Sequence, residues 1–220
     1  MLLFVQMTLW WQALILCFSV SCVHCLPSAV LHNKYITSYQ LTQFTRCRVQ
    51  QLLMRYKEEQ LGTKDYENKS QHLKDLPSLS TDFYHWLKLT DSERLGTALW
   101  DMQAFKSMLQ WKREQLSSED THSTLPQSFQ NIEYDIRDLI INVNNQMNYT
   151  GRTYTRPYTT RGHRGVVRSS HHTQWDSRVE GYIILRDLDL YLIKLARDFL
   201  LLATKTTKAT PTQRQTDIAT

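Results

Sequence analysis

The sequence predicts an all-α protein, a long-chain four-helix bundle whose helices run up, up, down and down. This rests on amphipathic helical segments, on the lengths of the connections between them, and on the lack of the two-residue alternation expected of strands. The most regular segment spans about residues 177–203, where large apolar side chains recur every three or four residues. They are Leu185, Leu188, Leu192, Leu195, Phe199 and Leu202. Burying this stripe is worth roughly 9–18 kcal/mol before chain entropy, so it must face a packed core.

The predicted helices are bounded by capping residues. In order they cover about residues 37–61 with a capping box of Thr37 and Gln40, 90–117 with Thr90 and Glu93, 124–148 with Pro126 in the first turn, and 177–203 with Ser177 and Glu180. In such a box each of the two side chains accepts a hydrogen bond from the backbone N–H of the other residue. Phe44 is expected on the buried face of the first helix, and Cys47 on the opposite, polar face.

The connection lengths decide the topology. The first and third connections have about 28 residues each and the second has about seven. Seven residues reach at most about 25 Å, whereas the second helix is about 40 Å long, so the second and third helices must be antiparallel neighbours. The long connections can each cross the full height of a bundle, which is what the up-up-down-down arrangement requires.

The first residues have the features of a secretory signal peptide. Leu9 to Val20 is apolar, and Val23 and Cys25 occupy the −3 and −1 positions of a cleavage site near Cys25. An uncleaved membrane anchor is the alternative, but the apolar run is shorter than the roughly 20 residues that span a bilayer. The expected organisation is a signal peptide at 1–25, a helical domain at 26–203 and a disordered Thr/Lys-rich tail at 204–220.

Cleavage would leave Cys47 as the only cysteine of the mature chain, which we therefore predict to be a free thiol. Without an intramolecular disulfide the fold must be held by its hydrophobic core. Asn68 and Asn148 each begin an Asn-x-Ser/Thr sequon, so both are candidate glycosylation sites on a secreted protein.

The third connection carries the excess positive charge of the chain. Gly151 to Trp175 contains no Asp or Glu and five arginines: Arg152, Arg156, Arg161, Arg164 and Arg168. Arginine pairs with planar oxyanions, so this loop could bind heparan sulfate or another polyanion. The alternative is a flexible crossover whose charge keeps it soluble. Nucleic acid is not an expected partner of a secreted chain.

No enzyme motif is present. The sequence lacks the nucleophile elbow, the phosphate-binding and dinucleotide-binding glycine loops, and the H-E-x-x-H metal motif. His163, His171 and His172 have no Cys or carboxylate at ligand spacing, so no metal and no cofactor is predicted. Asp187, Asp189 and Asp198 alternate with basic residues, which indicates a solvated helix face and not a catalytic carboxylate pair.

The run from Trp86 to Leu95, of the form W-x-x-L-T-x-x-E-R-L, resembles the interleukin-6 family of helical cytokines, in particular its ciliary neurotrophic factor and cardiotrophin-like members. The resemblance continues through Cys47-Arg48 and through the last helix, where these positions match: Gly181, Leu185, Leu188, Tyr191, Lys194 and Asp198. It implies a secreted, monomeric cytokine that crosslinks class I receptors and triggers JAK-STAT signalling. The alternatives are another long-chain helical hormone or an extracellular bundle that carries a lipid or other ligand.

The resemblance also implies receptor-contact residues. Family members that engage the leukaemia inhibitory factor receptor have an aromatic residue and a lysine where this chain has Trp175 and Arg178. The alternative for this pair is a loop-closing Trp and a solvated Arg. The resemblance further implies Trp86, Lys194 and Arg197 as contacts of a non-signalling α-receptor, and the exposed faces of the first and third predicted helices as the site of the shared signalling chain. On those faces Arg46 and Arg55 are chosen from their position and not from a motif.

Overall fold

The computed structural model describes residues 2–79, 83–119, 123–151 and 173–208, with side chains between Ser28 and Thr207 in those ranges. These residues form helices and no strand. The helices are α1 (Leu2–Leu61), α2 (Phe83–Lys88), α3 (Asp91–Glu119), α4 (Leu125–Tyr149) and α5 (Gln174–Lys208). In this part of the chain, no helix combines the length and the apolar character that crossing a bilayer demands.

The four long helices form an up-up-down-down bundle, as predicted. The cross-helix contacts of α1 show that it is antiparallel to α5, because Arg46 bonds to Asp189 whereas Tyr56, further along α1, reaches Arg178 at the start of α5. Arg113 near the end of α3 bonds to Glu133 in the first half of α4.

The remaining neighbours are antiparallel as well. Arg94 at the start of α3 pairs with Asp198 late in α5, and Arg55 late in α1 bonds to Ser128 early in α4. The parallel helices are therefore α1 with α3 and α4 with α5. The backbones of the two parallel pairs do not approach each other within the described residues, so each pair lies on a diagonal of the bundle.

The core is built from the predicted apolar stripes. All six side chains of the α5 stripe are buried, as are Phe129, Ile132, Ile136 and Val143 of α4 and Met102, Phe105 and Leu109 of α3. Tyr191 of α5 packs against Phe105 with ring centroids 5.1 Å apart, and its hydroxyl donates to the carbonyl of Ala98. Phe44, in contrast, is 57% exposed, so its predicted place in the core was wrong.

Two predicted helix starts were wrong. The α1 helix passes through Thr37 without a break, so no capping box forms there. The α5 helix begins at Gln174, where Thr173 and Asp176 form the box in place of Ser177 and Glu180. At its other end α5 continues to Lys208 and includes the first residues of the predicted tail.

The predicted solvated face of α5 was also wrong at two positions. Asp187 and Asp198 are buried, and each is paired with an arginine: Asp187 with Arg186, and Asp198 with Arg94. Helical periodicity placed these carboxylates on the polar side, but the fold covers both. Asp198 meets Arg94 of α3, and the Arg186 guanidinium that pairs with Asp187 also donates to the Asn68 and Gln71 carbonyls of the connection after α1.

The capping box at the start of α3 forms as predicted, and it makes a pH-dependent contribution to stability. Hydrogen bonds from the Thr90 backbone N–H and hydroxyl lower the pKa of the Glu93 carboxyl below its ordinary value. This stabilisation is therefore present above the unfolded-state pKa and is lost as pH falls through the folded-state pKa.

We expect Glu93→Gln, which keeps the hydrogen-bond acceptor, to remove that part of the pH dependence. The measurement is the urea midpoint from pH 6 down to about pH 3, the range over which carboxyl groups titrate. The matched control is Glu114→Gln on the same helix. A Glu93→Gln profile that runs parallel to that of the unchanged protein would refute the assignment.

Candidate functional site

The first turn of α5 presents Trp175, the aromatic residue singled out in the sequence. Its indole is 49% exposed, and one edge of it packs against Tyr66 with ring centroids 6.1 Å apart. Tyr66 also packs against Tyr182, one face of which lies 5.8 Å from the Arg186 guanidinium. The connection after α1 thus supports Trp175 from one side and leaves the rest of the ring open to a partner.

Arg178 lies one turn after Trp175 and is half-buried. Its backbone carbonyl accepts a hydrogen bond of 2.9 Å from the Tyr56 hydroxyl. Its Nε has no hydrogen-bond acceptor among the described residues. The predicted aromatic residue and cation therefore lie one turn apart at the start of α5, with the indole more exposed than the guanidinium.

The opposite end of the bundle contains Trp86, which is only 6% exposed. Its indole N–H donates to Asp198 at 2.6 Å, and its carbonyl accepts a hydrogen bond of 2.7 Å from Arg94. Arg94 also bonds to Asp198, so the three side chains form one buried network. Trp86 thus lies in the interior and offers little surface of its own.

The other two residues implied for this end lie closer to solvent. Arg197 is exposed, and its guanidinium stacks 4.2 Å from the centre of the Trp86 ring. Lys194 is half-buried, with its ammonium 3.8 Å from Asp101. The structure brings Trp86, Lys194 and Arg197 to the same end of the bundle, and sequence reasoning did not distinguish the buried Trp86 from the other two.

The α2 helix adds residues that sequence reasoning missed. Phe83, Tyr84 and Leu87 are all more than half exposed, and Trp86 between them is buried. The α2 helix is therefore a turn and a half long, with Trp86 on its inner side and an apolar outer side. The available signal was the density of large apolar residues just before the predicted second helix, at Phe83, Tyr84, Trp86 and Leu87.

The face between α1 and α4 contains Arg55 and a second arginine, Arg48. A shallow groove of about 220 Å³ separates them, and Arg55 donates to Ser128 at 2.9 Å across it. Arg48 donates to both carboxylate oxygens of Asp135 at 3.0 Å. Burial raises the pKa of Asp135, and the neighbouring Arg48 opposes that shift.

Arg46 was expected on the face that α1 shares with α4, but its side chain lies toward α5. Its Nε bonds to Asp189 of α5 at 2.9 Å, so it bridges α1 and α5. Of the two arginines named from the sequence, Arg55 contacts α4 and Arg46 does not.

The remaining candidates are modification sites and the basic loop. Cys47 is exposed and has no disulfide partner among the described residues. Asn148 is exposed near the end of α4, and Asn68 is half-buried, with its backbone N–H donating to the Tyr182 hydroxyl. The five loop arginines at 152–168 and all three histidines of that loop lie outside the described residues. Within the described ranges no group of three His, Cys, Asp or Glu side chains could hold a metal ion.

Comparison with known families assigns the chain. The family model described as ciliary neurotrophic factor matches residues 25–218, which is most of the sequence. The chain belongs to the ciliary neurotrophic factor family. It is therefore a helical cytokine of the interleukin-6 type, as the Trp86–Leu95 run indicated. A comparison with curated protein sequences found no match.

Membership of the ciliary neurotrophic factor family gives the bundle its role. Cytokines of this family are signalling ligands that bind cytokine receptors, and they are not enzymes. The described core of this member is filled by buried apolar side chains. The family match favours the cytokine over the ligand-carrier alternative.

Proposed function

We propose that this protein is a secreted cytokine that crosslinks two or more class I receptor chains and so triggers JAK-STAT signalling. The observation that carries the proposal is the exposed Trp175 beside Arg178 at the start of α5. Large aromatic residues and arginines supply most of the binding energy at protein interfaces. We assign this surface, at Trp175 and Arg178, to a receptor chain of the leukaemia inhibitory factor receptor type.

A second surface is proposed at the other end of α5 for a non-signalling α-receptor. Its contact residues are Phe83, Tyr84 and Leu87 of α2 together with Arg197 and Lys194 of α5. Trp86 contributes indirectly, because its buried ring stacks against the Arg197 guanidinium. The exposed side of α2 supplies apolar area, and the two cations supply charge complementarity to an acidic partner.

The shared signalling chain is proposed to bind the face between α1 and α4. Arg55 lines its groove, and Phe44 and Ile141 are exposed large apolar side chains on the same two helices. Arg46 is proposed only as a contact at the edge of this face, because its guanidinium pairs with Asp189 of α5. The three surfaces occupy different parts of the bundle, so one monomer can hold three receptor chains together.

Secretion and modification complete the proposal. We place signal-peptide cleavage near Cys25, glycans at Asn68 and Asn148, and a reactive thiol at Cys47. Heparan sulfate is assigned to the arginines at 152–168, whose charge is unopposed in that segment.

We expect the double substitution Trp175→Ala and Arg178→Ala to weaken binding to the leukaemia inhibitory factor receptor-type chain about thirtyfold or more. The reason is that the substitutions remove both the aromatic anchor and the cation of the surface. Surface plasmon resonance with the separate receptor ectodomains measures this, and far-UV circular dichroism checks that the helices remain.

The control for this experiment is Trp100→Ala with Lys106→Ala on α3, outside the three surfaces. The double variant at α5 should also keep its affinity for the shared signalling chain. Equal affinities of both double variants for the leukaemia inhibitory factor receptor-type chain would exclude Trp175 and Arg178 as its contacts.

A further inference from the structure

A buried polar cluster joins α3 to the start of α5, just beneath the Trp175 surface. Lys112 of α3 is fully buried, and its ammonium donates to the Ser177 carbonyl at 2.8 Å and to the Ser177 hydroxyl at 3.0 Å. It also donates to the Gln115 side-chain oxygen at 3.0 Å, while the Gln115 amide donates to the Ser177 hydroxyl. A cation of α3 is thus hydrogen-bonded to the backbone of α5.

A second donor reaches the same turn of α5 from α1. The buried Tyr56 hydroxyl donates to the Arg178 carbonyl at 2.9 Å. Burial, the largest effect, raises the pKa of Tyr56 far above its ordinary value, so the hydroxyl keeps its proton and remains a donor. Two consecutive carbonyls, those of Ser177 and Arg178, are therefore held from two different helices.

Gly181 is what allows both donors to reach α5. A Cβ atom at this position would lie only 2.6 Å from the Cε of Lys112 and closer still to the Tyr56 hydroxyl. Real Cβ atoms are not found at such distances, so any larger residue would displace both side chains. A glycine in a helix interior is unfavourable by itself, and here it makes room for the two hydrogen-bond donors.

Stability alone does not account for the cluster. Burying an ammonium group costs more than burying a hydrocarbon chain of the same length, so a methionine at position 112 would fill the space more cheaply. What the lysine adds is direction, because the Ser177 carbonyl and hydroxyl that it binds fix where α5 begins relative to α3. Trp175 has an edge contact with Tyr66 and is otherwise half exposed, so its direction follows from the α5 backbone.

We propose that Lys112 and Tyr56 are positioning residues that clamp the Ser177 and Arg178 carbonyls across Gly181, and so hold Trp175 and Arg178 in the orientation that the receptor chain recognises. The orientation part rests on the proposed function of that surface. The clamp itself is a property of the free protein.

The clamp is tested first without any receptor, by amide hydrogen exchange of the full chain. In a helix the N–H groups of residues 181 and 182 bond to the clamped carbonyls, so these amides report on the clamp. We expect Lys112→Met to accelerate their exchange about tenfold or more, and Tyr56→Phe to accelerate it several-fold. Both variants keep the buried volume close to that of the unchanged protein.

Each variant has a matched control. Lys106→Met removes a half-buried lysine from the side of α3 that carries Arg113, which bonds to α4. Tyr191→Phe removes a buried hydroxyl that donates to Ala98. Neither control should change exchange at residues 181 and 182. Unchanged exchange in Lys112→Met overturns the clamp, whatever the receptors do.

Receptor binding then tests the positioning role. We expect Lys112→Met to weaken binding at the Trp175 surface about tenfold and to leave binding of the shared signalling chain unchanged, which general destabilisation would not do. Faster exchange with unchanged affinity overturns the positioning role. Failure of the proposed function is seen separately, as full affinity of the Trp175→Ala and Arg178→Ala variant.

Discussion

We expect Arg94→Met to lower the free energy of unfolding by about 3–5 kcal/mol, because it leaves Asp198 as a buried charge without its partner. Arg94 is 2% exposed and Asp198 5%, and the guanidinium also donates to the Trp86 carbonyl. The substitution therefore breaks the link between α2, α3 and α5 at one end of the bundle. Urea denaturation followed by circular dichroism measures the loss.

The matched control is a surface pair. Lys205→Met removes an ammonium 2.7 Å from Asp91, but both side chains are substantially exposed, so the cost should stay below about 1 kcal/mol. The double variant Arg94→Met with Asp198→Leu should recover much of the lost stability, because no unpaired charge remains. Equal stabilities of Arg94→Met and Lys205→Met would show that the buried network contributes little.

Gly181→Ala should destabilise the protein by about 3 kcal/mol, at the upper end of the usual cost of overpacking a core. The added methyl overlaps Tyr56 and Lys112, which come from two different helices, so no single side-chain rotation relieves it. Thermal and urea unfolding both report the change.

Gly151→Ala is the comparison for this experiment. Gly151 has a φ of +63° and nothing within 4 Å of its added methyl, so its cost is conformational, about 1–2 kcal/mol, and involves no overlap. Combining Gly181→Ala with Tyr56→Phe should recover part of the stability, since it removes the closest atom. Equal stability of Gly181→Ala and the unchanged protein would show that α1 and α3 leave room for a methyl group at this point of α5.

The topology could be predicted from the sequence because connection length is a property of the chain itself. A short link forces α3 and α4 to be antiparallel, and the observed pairing of Arg113 with Glu133 is the result. The apolar stripe of α5 was equally predictable, since its period is local. The start of α5 was not predictable, because two residue pairs fit a capping box: Thr173 with Asp176, and Ser177 with Glu180 one turn later.

The candidate site was predictable only where exposure follows from local pattern. Trp175 lies in the first turn of α5, and it is exposed. Trp86 has the same chemistry but is buried, because Arg94 and Asp198 meet it in the fold and Asp198 is remote from it in the sequence. Lysine in a sequence usually indicates a surface position. Lys112 is buried instead, because Ser177 of another helix accepts its hydrogen bonds.

The alternation of helix direction around the bundle has an electrostatic consequence. Each helix carries a macrodipole with a partial positive charge at its N-terminus and a partial negative charge at its C-terminus. Because every pair of neighbours in the described bundle is antiparallel, each end gathers two termini of each sign, and their fields largely cancel. The potential that a receptor meets at either end is thus set by side chains such as Arg178 and Arg197. Exchanging those side chains can retune the preference for a partner without any change in the backbone.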